Sequence, residues 1–338
     1  MKKKITINDI AKLAGVSKTT VSFYLNGMHE KMSEETGNRI ASAIEATGYK
    51  PNMAARSLNR KNSSLVGIII GDITNSFANQ VLKGINEQLQ KDGYQMIVGN
   101  SEYDPAKEEM YIESFNSIGV DGFIVQPTSG FENIYNRIGQ GKPLVIFDSP
   151  IRDSRYNWVK TNSYFAVKDT VEKMAAAGYQ QFVLVTADPD IIYTRRERYD
   201  GFLEAVNNAG KPYNIIIANH EISEDLIRKQ LDPYLNSDLR TCIIVANNWL
   251  LNKVYMALEA SFQLIPDKLG LIGFDSLEWT RIARPSITTI VQPAYEEGLA
   301  ASRMLVELIR NGELTRGNET LDCYLSLEDS TNIRRLLK

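Results

Sequence analysis

Polar side chains stand directly after several short apolar runs of this sequence, at positions where they could bind a small molecule. Carboxylates and amides can hydrogen-bond several hydroxyl groups at once, and aromatic rings can cover the apolar face of a sugar. The residues concerned are Asn75, Ser76, Phe77, Asp148, Asn248, Trp249 and Asp275. The pattern favours a site for a polyhydroxylated ligand. An aspartate after a strand can equally cap the next helix, so both interpretations stay open for each residue taken singly.

Three arginines stand in the run Thr-Arg-Arg-Glu-Arg, near the start of a helix predicted over residues 195–208. The fork-shaped guanidinium of Arg198 could join the same site. Arg195 and Arg196 would suit an anionic sugar acid or phosphate. The alternative for both is that they only face water, as arginines on a helix usually do.

An enzyme acting on a sugar is the competing interpretation of this pattern, with Asp148 and Asp275 as an acid and base pair. The sequence has no dinucleotide-binding Gly-x-Gly-x-x-Gly, no phosphate-binding Gly-x-x-x-x-Gly-Lys and no nucleophile elbow. We therefore expect a binding protein and no enzymatic activity.

The elements that position these residues are short apolar strands separated by amphipathic helices. Two series of apolar runs occur, at 65–70, 96–98, 122–125 and 144–147, and then at 182–185, 215–218, 242–246 and 269–274. The connections are long enough for parallel sheets, and two doubly wound lobes fit the two series better than one sheet. Ligands of such folds bind beyond the carboxyl ends of the strands, where the polar residues lie.

The composition is that of a globular protein of two or three structural units, with 338 residues, 43% hydrophobic and 23% charged. No apolar stretch approaches 18 residues, so we expect no membrane span, no secretory signal and a cytoplasmic protein. The only histidines are His29 and His220, and the only cysteines are Cys242 and Cys323. We therefore expect no metal site, disulfide framework or cofactor.

The formal net charge of −3 hides an asymmetry along the chain. Residues 1–62 carry a net charge of +6, and the remaining residues carry −9. A small basic unit attached to a large acidic one is expected when only the small unit meets a polyanion.

The basic unit has the pattern of three short helices. Apolar residues recur at helical spacing over 7–14, Gly15 permits a turn, and Ser17 can cap a second helix. A third helix is predicted between Ser33 and Gly48. In a helix-turn-helix the second helix enters the major groove, and its first exposed residues here are the Lys-Thr-Thr of 18–20. A small helical docking domain is the alternative, which the positive charge disfavours.

The run Ile-Thr-Ile-Asn-Asp-Ile-Ala-Lys-Leu-Ala-Gly-Val-Ser-Lys-Thr-Thr-Val-Ser at 5–22 resembles the headpiece of the LacI/GalR (lactose-repressor) family. The resemblance continues through 48–52, 55–58, 272–275 and 288–293, so it spans essentially the whole chain. It implies a DNA-binding transcriptional regulator with an all-α headpiece and a body of two α/β lobes like those of periplasmic binding proteins.

The resemblance also implies which residues contact DNA. They are Thr6, Ser17, Lys18, Thr19, Thr20, Ser22, Phe23, Asn26, Lys31, Asn52, Ala55, Arg56 and Leu58. One position departs from the family, which commonly has arginine where this chain has Phe23. Phenylalanine can touch a thymine methyl group but cannot form the paired hydrogen bonds to guanine. The operator preference of relatives should therefore not be carried over.

Residues 51–58 are compatible with a hinge helix that is too short to be stable alone. The resemblance implies that DNA and the hinge of a second subunit pack on it, and that Leu58 enters between two base pairs of the minor groove. An ordinary polar linker is the alternative.

For the body, the resemblance implies that the chain passes between the lobes near Thr161, Ile290 and Cys323, so that the cleft can close. The effector-binding residues that it implies, together with those proposed from the pattern, are Asn75, Ser76, Phe77, Asp148, Arg196, Arg198, Asn248, Trp249, Asp275 and Gln292. Many relatives have Asn-Asp where this chain has Asn247-Asn248. The missing charge puts the familiar hexose contact there in doubt.

These observations predict a headpiece at 1–49, a hinge and linker at 50–62, an N-terminal lobe at 63–161 plus 292–323, and a C-terminal lobe at 162–291 plus 324–338. We expect a homodimeric repressor of a pseudo-palindromic operator in double-stranded DNA, controlled by a sugar, sugar acid or sugar phosphate. A tail-driven tetramer is not expected, because residues 330–338 contain no sustained heptads. A sugar-binding module without operator recognition is the alternative. Whether the ligand releases or tightens DNA binding stays open.

Overall fold

The computed structural model describes residues 5–25, 27–49, 63–150, 155–314 and 317–331. Contacts divide the chain into two units, residues 1–63 and residues 64–338. The first is the headpiece and the second is the body, and each is described by itself.

The described residues of the headpiece form three α-helices and one 3-10 turn: α1 (Ile7–Ala14), α2 (Lys18–Leu25), the turn His29–Lys31 and α3 (Glu34–Thr47). Thr6 and Asp9 form the predicted capping box, and Gly15 ends α1 in the left-handed conformation. Ser33 caps α3 by accepting a hydrogen bond from the backbone N–H of Thr36. The predicted caps of these two helices are therefore confirmed.

The first sheet of the body contains β1 (Leu65–Ile70), β2 (Gln95–Asn100), β3 (Gly122–Val125), β4 (Leu144–Phe147), β5 (Asn157–Thr161) and β11 (Glu319–Leu321). The strand order is β11-β5-β4-β3-β1-β2, and all pairs are parallel. The order reverses between β1 and β3, and ligands of doubly wound sheets bind beside such a reversal.

The second sheet contains β6 (Gln181–Thr186), β7 (Tyr213–Ile217), β8 (Thr241–Val245), β9 (Leu269–Phe274), β10 (Thr288–Val291) and β12 (Tyr324–Ser326). Its order is β12-β10-β9-β8-β6-β7, with only the pair β10–β12 antiparallel. The predicted pair of doubly wound lobes behind a helical headpiece is confirmed.

Helices separate the strands of both sheets. They are α4 (Ser76–Lys91), α5 (Pro105–Ile118), α6 (Phe131–Ile138), α7 (Ser163–Ala176), α8 (Tyr193–Asn208), α9 (Glu224–Leu235), α10 (Asn248–Ala257), α11 (Leu277–Thr280) and α12 (Ala294–Asn311), with a 3-10 turn at Glu259–Leu264. The predicted helix at 195–208 begins two residues earlier, at Tyr193.

The chain passes from one sheet to the other at three places, after β5, after β10 and between β11 and β12. Hydrogen bonds from side chains connect these passages. The backbone N–H of Cys323 donates to Asn162 Oδ1 at 2.8 Å, and Asn162 Nδ2 donates to Asp322 Oδ1 at 2.7 Å. Gln292 Nε2 donates to Thr161 Oγ1 at 3.0 Å. The three passages are therefore joined by hydrogen bonds at the base of the cleft between the sheets.

Two glycines allow α4 and α12 to pack with their backbones in contact on the first sheet. A Cβ atom at Gly84 would lie 2.1 Å from the carbonyl oxygen of Tyr295, and one at Gly298 would lie 2.1 Å from the carbonyl oxygen of Val81. Backbone cannot yield as a flexible side chain can, so larger residues there would push the helices apart.

We expect Gly84→Ala to lower the free energy of unfolding of the body by about 1–3 kcal/mol, although alanine is the better helix former. Urea unfolding followed by circular dichroism measures the change. Gly130→Ala is the matched control, because a Cβ at Gly130 meets open space. Equal stability of the two variants would show that α4 and α12 adjust their spacing without cost.

Within the described ranges, no helix combines the length and the apolar character needed to cross a lipid bilayer.

Candidate functional site

The headpiece presents the predicted DNA-contacting residues of α2 around a small buried core. Ile10, Val21 and Ile40 are fully buried at the centre of this core and hold the three helices together. Lys18 and Thr19 are exposed at the start of α2. The start of α2 therefore displays one cation and short polar side chains, as a helix that reads base edges requires.

The other predicted DNA contacts of the headpiece differ in exposure and in their contacts within the protein. Ser17 Oγ accepts a hydrogen bond from the Thr20 backbone N–H at 3.0 Å and lies 2.8 Å from Thr20 Oγ1. Phe23 is half-buried, with the Nζ of the exposed Lys31 4.8 Å from the centroid of its ring. Thr6 is exposed and Ser22 is half-buried. Phe23 therefore presents an apolar surface flanked by a cation.

Five of the predicted DNA contacts lie outside the described residues: Asn26, Asn52, Ala55, Arg56 and Leu58. The hinge and linker predicted at 50–62 lie outside them as well.

In the body, Asp148 lies at the end of β4 on one side of a cleft between the two sheets. Its Oδ2 accepts hydrogen bonds from Gln126 Nε2 at 2.7 Å and from Ser149 Oγ at 3.0 Å. Thr194, which comes from the second sheet's side, lies 2.8 Å from Ser149 through its hydroxyl group. Asp148 Oδ1 is buried and has no hydrogen-bond partner within the described part of the chain. Its free oxygen can therefore accept a hydrogen bond from a ligand.

A second buried carboxyl group stands behind Asp148. Glu297 of α12 is fully buried, and its Oε1 accepts a hydrogen bond from the Asp148 backbone N–H at 2.6 Å. Burial and the neighbouring carboxylate of Asp148 raise the pKa of Glu297 well above its usual range. Burial therefore disfavours the charged form of Glu297, whose hydrogen bond fixes the backbone of Asp148 at a φ of +61°.

Arg198 of α8 joins several segments at the base of the cleft. Its guanidinium donates to the Ala246 carbonyl oxygen and to Gln292 Oε1, both at 2.7 Å. The group also lies 3.9 Å from the centroid of the Phe274 ring. Gln292 in turn donates its backbone N–H to Asp275 Oδ1 at 2.9 Å. The cleft and the chain passages are therefore parts of one hydrogen-bond network.

Asp275 is partly exposed at the end of β9. Burial raises the pKa of Asp275 to about 7, while the positive charge of Arg198 and the Gln292 backbone N–H act in the opposite direction. Near neutral pH this carboxyl group is therefore present in both protonation states.

Two loops from opposite sides of the cleft touch through amide side chains. Asn248 Nδ2 donates to Asn75 Oδ1 at 2.5 Å and to Ser76 Oγ at 3.3 Å. The neighbouring Trp249 stacks on His220 with ring centroids 3.9 Å apart, and its buried Nε1 has no hydrogen-bond partner among the described residues. The contact brings the two sides together at the cleft and leaves the indole N–H available to a ligand.

The residues that line this cleft come from both sheets. They are Asn75, Phe77, Tyr103, Gln126, Asp148, Ile192, Thr194, Arg195, Arg198, Asn247, Asn248, Trp249, Asp275 and Gln292. The space between them amounts to about 390 Å³, including the part that opens to solvent.

Two family descriptions match this chain. Residues 6–52 match the family described as bacterial regulatory proteins, lacI family, and residues 66–314 match the periplasmic binding protein domain. The HTH-type transcriptional regulator KdgR of Bacillus subtilis (strain 168) is 31% identical over 323 residues, covering 91% of this chain and 94% of that protein.

The chain belongs to the LacI family of transcriptional regulators.

Solved structures share the fold of this LacI-family regulator. The transcriptional regulator CelR–cellobiose complex matches with a TM-score of 0.69 and 21% identity, over 96% of this chain and 99% of that one. A LacI-family transcriptional regulator from Enterococcus faecium with bound ribose matches with a TM-score of 0.68 and 23% identity, over 79% and 98%. The predicted family membership is confirmed.

The structure brings most of the predicted effector-binding residues of this LacI-family regulator to one cleft. Ser76 does not line the cleft, although its hydroxyl group lies beside Asn248. Arg196 lies outside it, where it pairs with Asp190 and Asp200. Successive residues of an α-helix point about 100° apart, so Arg195 lines the cleft while its neighbour faces away from it.

Sequence reasoning missed Tyr103, Gln126 and Thr194 as residues of the cleft, and it left Arg195 open between an anion site and a face exposed to water. A signal existed for Gln126, which directly follows β3 as Asp148 follows β4. Tyr103 had no such signal, because a residue three positions beyond β2 reaches the cleft only through its loop. Gly71 leaves room for its ring, since a Cβ there would lie 2.1 Å from a ring carbon.

Proposed function

We propose that this regulator is a homodimeric transcriptional repressor whose affinity for a pseudo-palindromic operator changes when a small sugar-like effector occupies the cleft. The observation that carries this proposal is the set of buried polar atoms at the cleft without protein partners among the described residues, namely Asp148 Oδ1, Arg195 Nε and Trp249 Nε1. Buried polar groups are rarely left unpaired unless a ligand or water satisfies them. A repressor bound to chromosomal DNA would be associated with the nucleoid.

We propose the domain boundaries predicted from the sequence as the functional units. The lobe of 63–161 plus 292–323 and the lobe of 162–291 plus 324–338 would bind the effector between them. The headpiece of 1–49 would read the operator through α2, with the residues of 50–62 as the hinge.

Supporting observations come from structural neighbours of the body. Cellobiose is present in one of them and ribose in another, so this fold accommodates sugars. The cleft of this chain has the carboxylate, amide and aromatic groups that bind hydroxyl groups and sugar faces, including Asp148, Asn248 and Trp249.

The network around Arg198 offers a route from the cleft to the hinge between the lobes. A ligand that contacts Arg198 or Asp275 also acts on Gln292, which binds Thr161 at another chain passage. An effector that binds one arrangement of the lobes better than another shifts the population toward it, with a coupling of roughly 1–3 kcal/mol. The shift would change the spacing of the two headpieces of a dimer.

The first test is fluorescence-anisotropy binding of the purified full-length protein to DNA flanking its own gene. The titration is repeated at several salt concentrations, with and without sugars, sugar acids and sugar phosphates. We expect a specific, salt-sensitive complex that one compound strengthens or weakens. Binding no tighter than to random DNA under every condition would contradict the proposal and favour a sugar-binding module without operator recognition.

Lys18→Ala should weaken operator binding by roughly 10-fold and lower the salt dependence, because an exposed cation at the start of α2 is lost. Lys229→Ala makes the same chemical change at an exposed position of α9 in the body. The anisotropy assay should show no effect of this control. An equal loss in both variants would mean that only overall charge matters.

A further inference from the structure

Two buried guanidinium groups face the same cleft from one side of α8. Arg195 is 5% exposed and Arg198 is 8% exposed, and both line the cleft. Residues three apart lie on the same face of a helix, so the helix delivers both positive charges to one place.

Neither of these arginines is neutralised by a carboxylate partner among the residues that the structure describes. Arg198 donates hydrogen bonds to the Ala246 carbonyl oxygen and to Gln292 Oε1, and both acceptors are uncharged. Arg195 lies over the ring of Tyr103, with 4.8 Å between the guanidinium carbon and the ring centroid, and its buried Nε has no hydrogen-bond partner in the described ranges. A buried charge without a counter-charge is strongly destabilising.

The acidic groups of the cleft do not balance the two arginines at neutral pH. Asp148 is one carboxylate against two arginines: its charge acts on Arg195, and its Oδ2 accepts hydrogen bonds from the neutral donors Gln126 and Ser149. Asp275 is only partly ionised near pH 7, because burial raises its pKa to about 7. Burial raises the pKa of Glu297, behind Asp148, well above its usual range. The cleft therefore has an excess of positive charge.

Arg196, the next residue along α8, shows the opposite arrangement. It is more exposed than Arg195 and pairs with Asp190 and Asp200. Among the described residues, the arginine outside the cleft forms ion pairs with two carboxylates and the arginine inside it forms none, so Arg195 is available to a ligand anion.

We propose that the effector is an anionic sugar derivative whose carboxylate or phosphate oxygens accept hydrogen bonds from Arg195. This inference rests on the proposed function, in which the cleft binds a sugar-like effector. Tyr103 holds the guanidinium through its ring face, and Asp148 Oδ1 accepts a hydrogen bond from a hydroxyl group of the same ligand. Arg195 is then the residue that selects acids and phosphates over neutral sugars.

The test compares paired probes by isothermal titration calorimetry of the full-length protein. The probes are neutral hexoses and pentoses, the aldonic and uronic acids derived from them, and their monophosphates. We expect the tightest ligand to be an anion that binds at least about 10-fold more tightly than its neutral parent. Acids and phosphates in separate titrations distinguish the two sources of negative charge.

Arg195→Gln should weaken the tightest anion by roughly 10- to 100-fold, as expected for lost charge-assisted hydrogen bonds, and leave its neutral parent within about 3-fold. Arg195→Lys should restore part of the preference for the anion, because it keeps the charge without the fork. Arg196→Gln is the matched control and should change neither ligand.

A purely structural role of Arg195 predicts equal losses for the anion and its parent, which would overturn the proposal. A neutral sugar as the tightest ligand, or no binding of any anion, would overturn it too. The operator assay decides separately whether the proposed function stands, because a protein that binds its operator and responds to a neutral sugar retains that function without the anion.

Discussion

Arg198→Met is expected to weaken effector binding at least about 100-fold and to lower the free energy of unfolding by about 2–5 kcal/mol. The variant removes the donors to the Ala246 carbonyl oxygen and to Gln292 Oε1 and leaves both acceptors buried. It also removes a cation from the face of Phe274. Calorimetric titration with the best ligand of the wild type measures the first effect, and urea unfolding measures the second.

Arg240, which directly precedes β8 of the second sheet, offers a matched control for the loss of a partly buried arginine. Its guanidinium lies 4.2 Å from the centroid of the Tyr179 ring and donates to the Ala177 carbonyl oxygen at 2.8 Å, beside the start of β8. The cleft lies at the opposite, carboxyl end of the strands. Arg240→Met should therefore lower stability without changing effector affinity. If both variants lose ligand binding equally, the effect of Arg198 on binding is only a general loss of stability.

The fold was largely predictable because buried parallel strands leave continuous apolar runs in the sequence. The runs at 65–70, 122–125, 144–147 and 269–274 match four strands residue for residue. No such signal existed for β5, in which only Trp158 and Val159 are apolar and the other three residues are polar. The three-residue strands β11 and β12 are also too short and too polar to give one.

The site was predictable where a residue directly follows a strand, as Asp148 and Asp275 do. The site was not predictable on α8, where the rotation of each residue about the helix axis determines whether its side chain faces the cleft. Arg195 faces the cleft and Arg196 does not. Tyr103 was not predictable either, because its ring occupies space that the absence of a side chain at Gly71 leaves open. Sequence order therefore indicated which strand ends form the site, and packing determined the remaining residues.

Asp275→Asn is expected to raise the free energy of unfolding by an amount that grows with pH, from about 1–2 kcal/mol at pH 5 to about 2–4 kcal/mol at pH 8. Folding raises the pKa of Asp275 from 3.8 to about 7, because burial disfavours the carboxylate. One pKa unit corresponds to about 1.4 kcal/mol. The shift therefore sets an upper figure of about 4 kcal/mol.

The sign of the effect follows from proton binding. Between pH 4 and 7 the folded protein holds a proton on Asp275 that the unfolded chain has released, so stability falls as the pH rises through this range. Asparagine does not titrate, and its Oδ1 can still accept the Gln292 backbone N–H that Asp275 accepts. The variant should therefore avoid the fall in stability at high pH and keep the hydrogen bond from the Gln292 backbone. Urea unfolding midpoints of both proteins at pH 5, 6, 7 and 8 measure the difference.

Several charged groups surround Asp275 and have to be separated from it. Arg198 lowers its pKa, whereas Asp148 and Glu278 raise it, and Glu297 is itself influenced by the charge of Asp275. Glu297→Gln in the same pH series reports the contribution of that second buried carboxyl group. Asp238→Asn, at an exposed aspartate before β8, is the control for the chemical change alone.

An Asp275→Asn variant whose advantage over the wild type is the same at every pH would show that Asp275 ionises normally in the folded protein.

The ionisation of Asp275 should also affect ligand binding. Ionisation of Asp275 adds a negative charge beside Arg198, so the affinity of an anionic effector should fall as the pH rises from 6 to 8, and Asp275→Asn should remove most of that fall. A neutral effector would show little of this dependence, because it carries no charge for the carboxylate to repel.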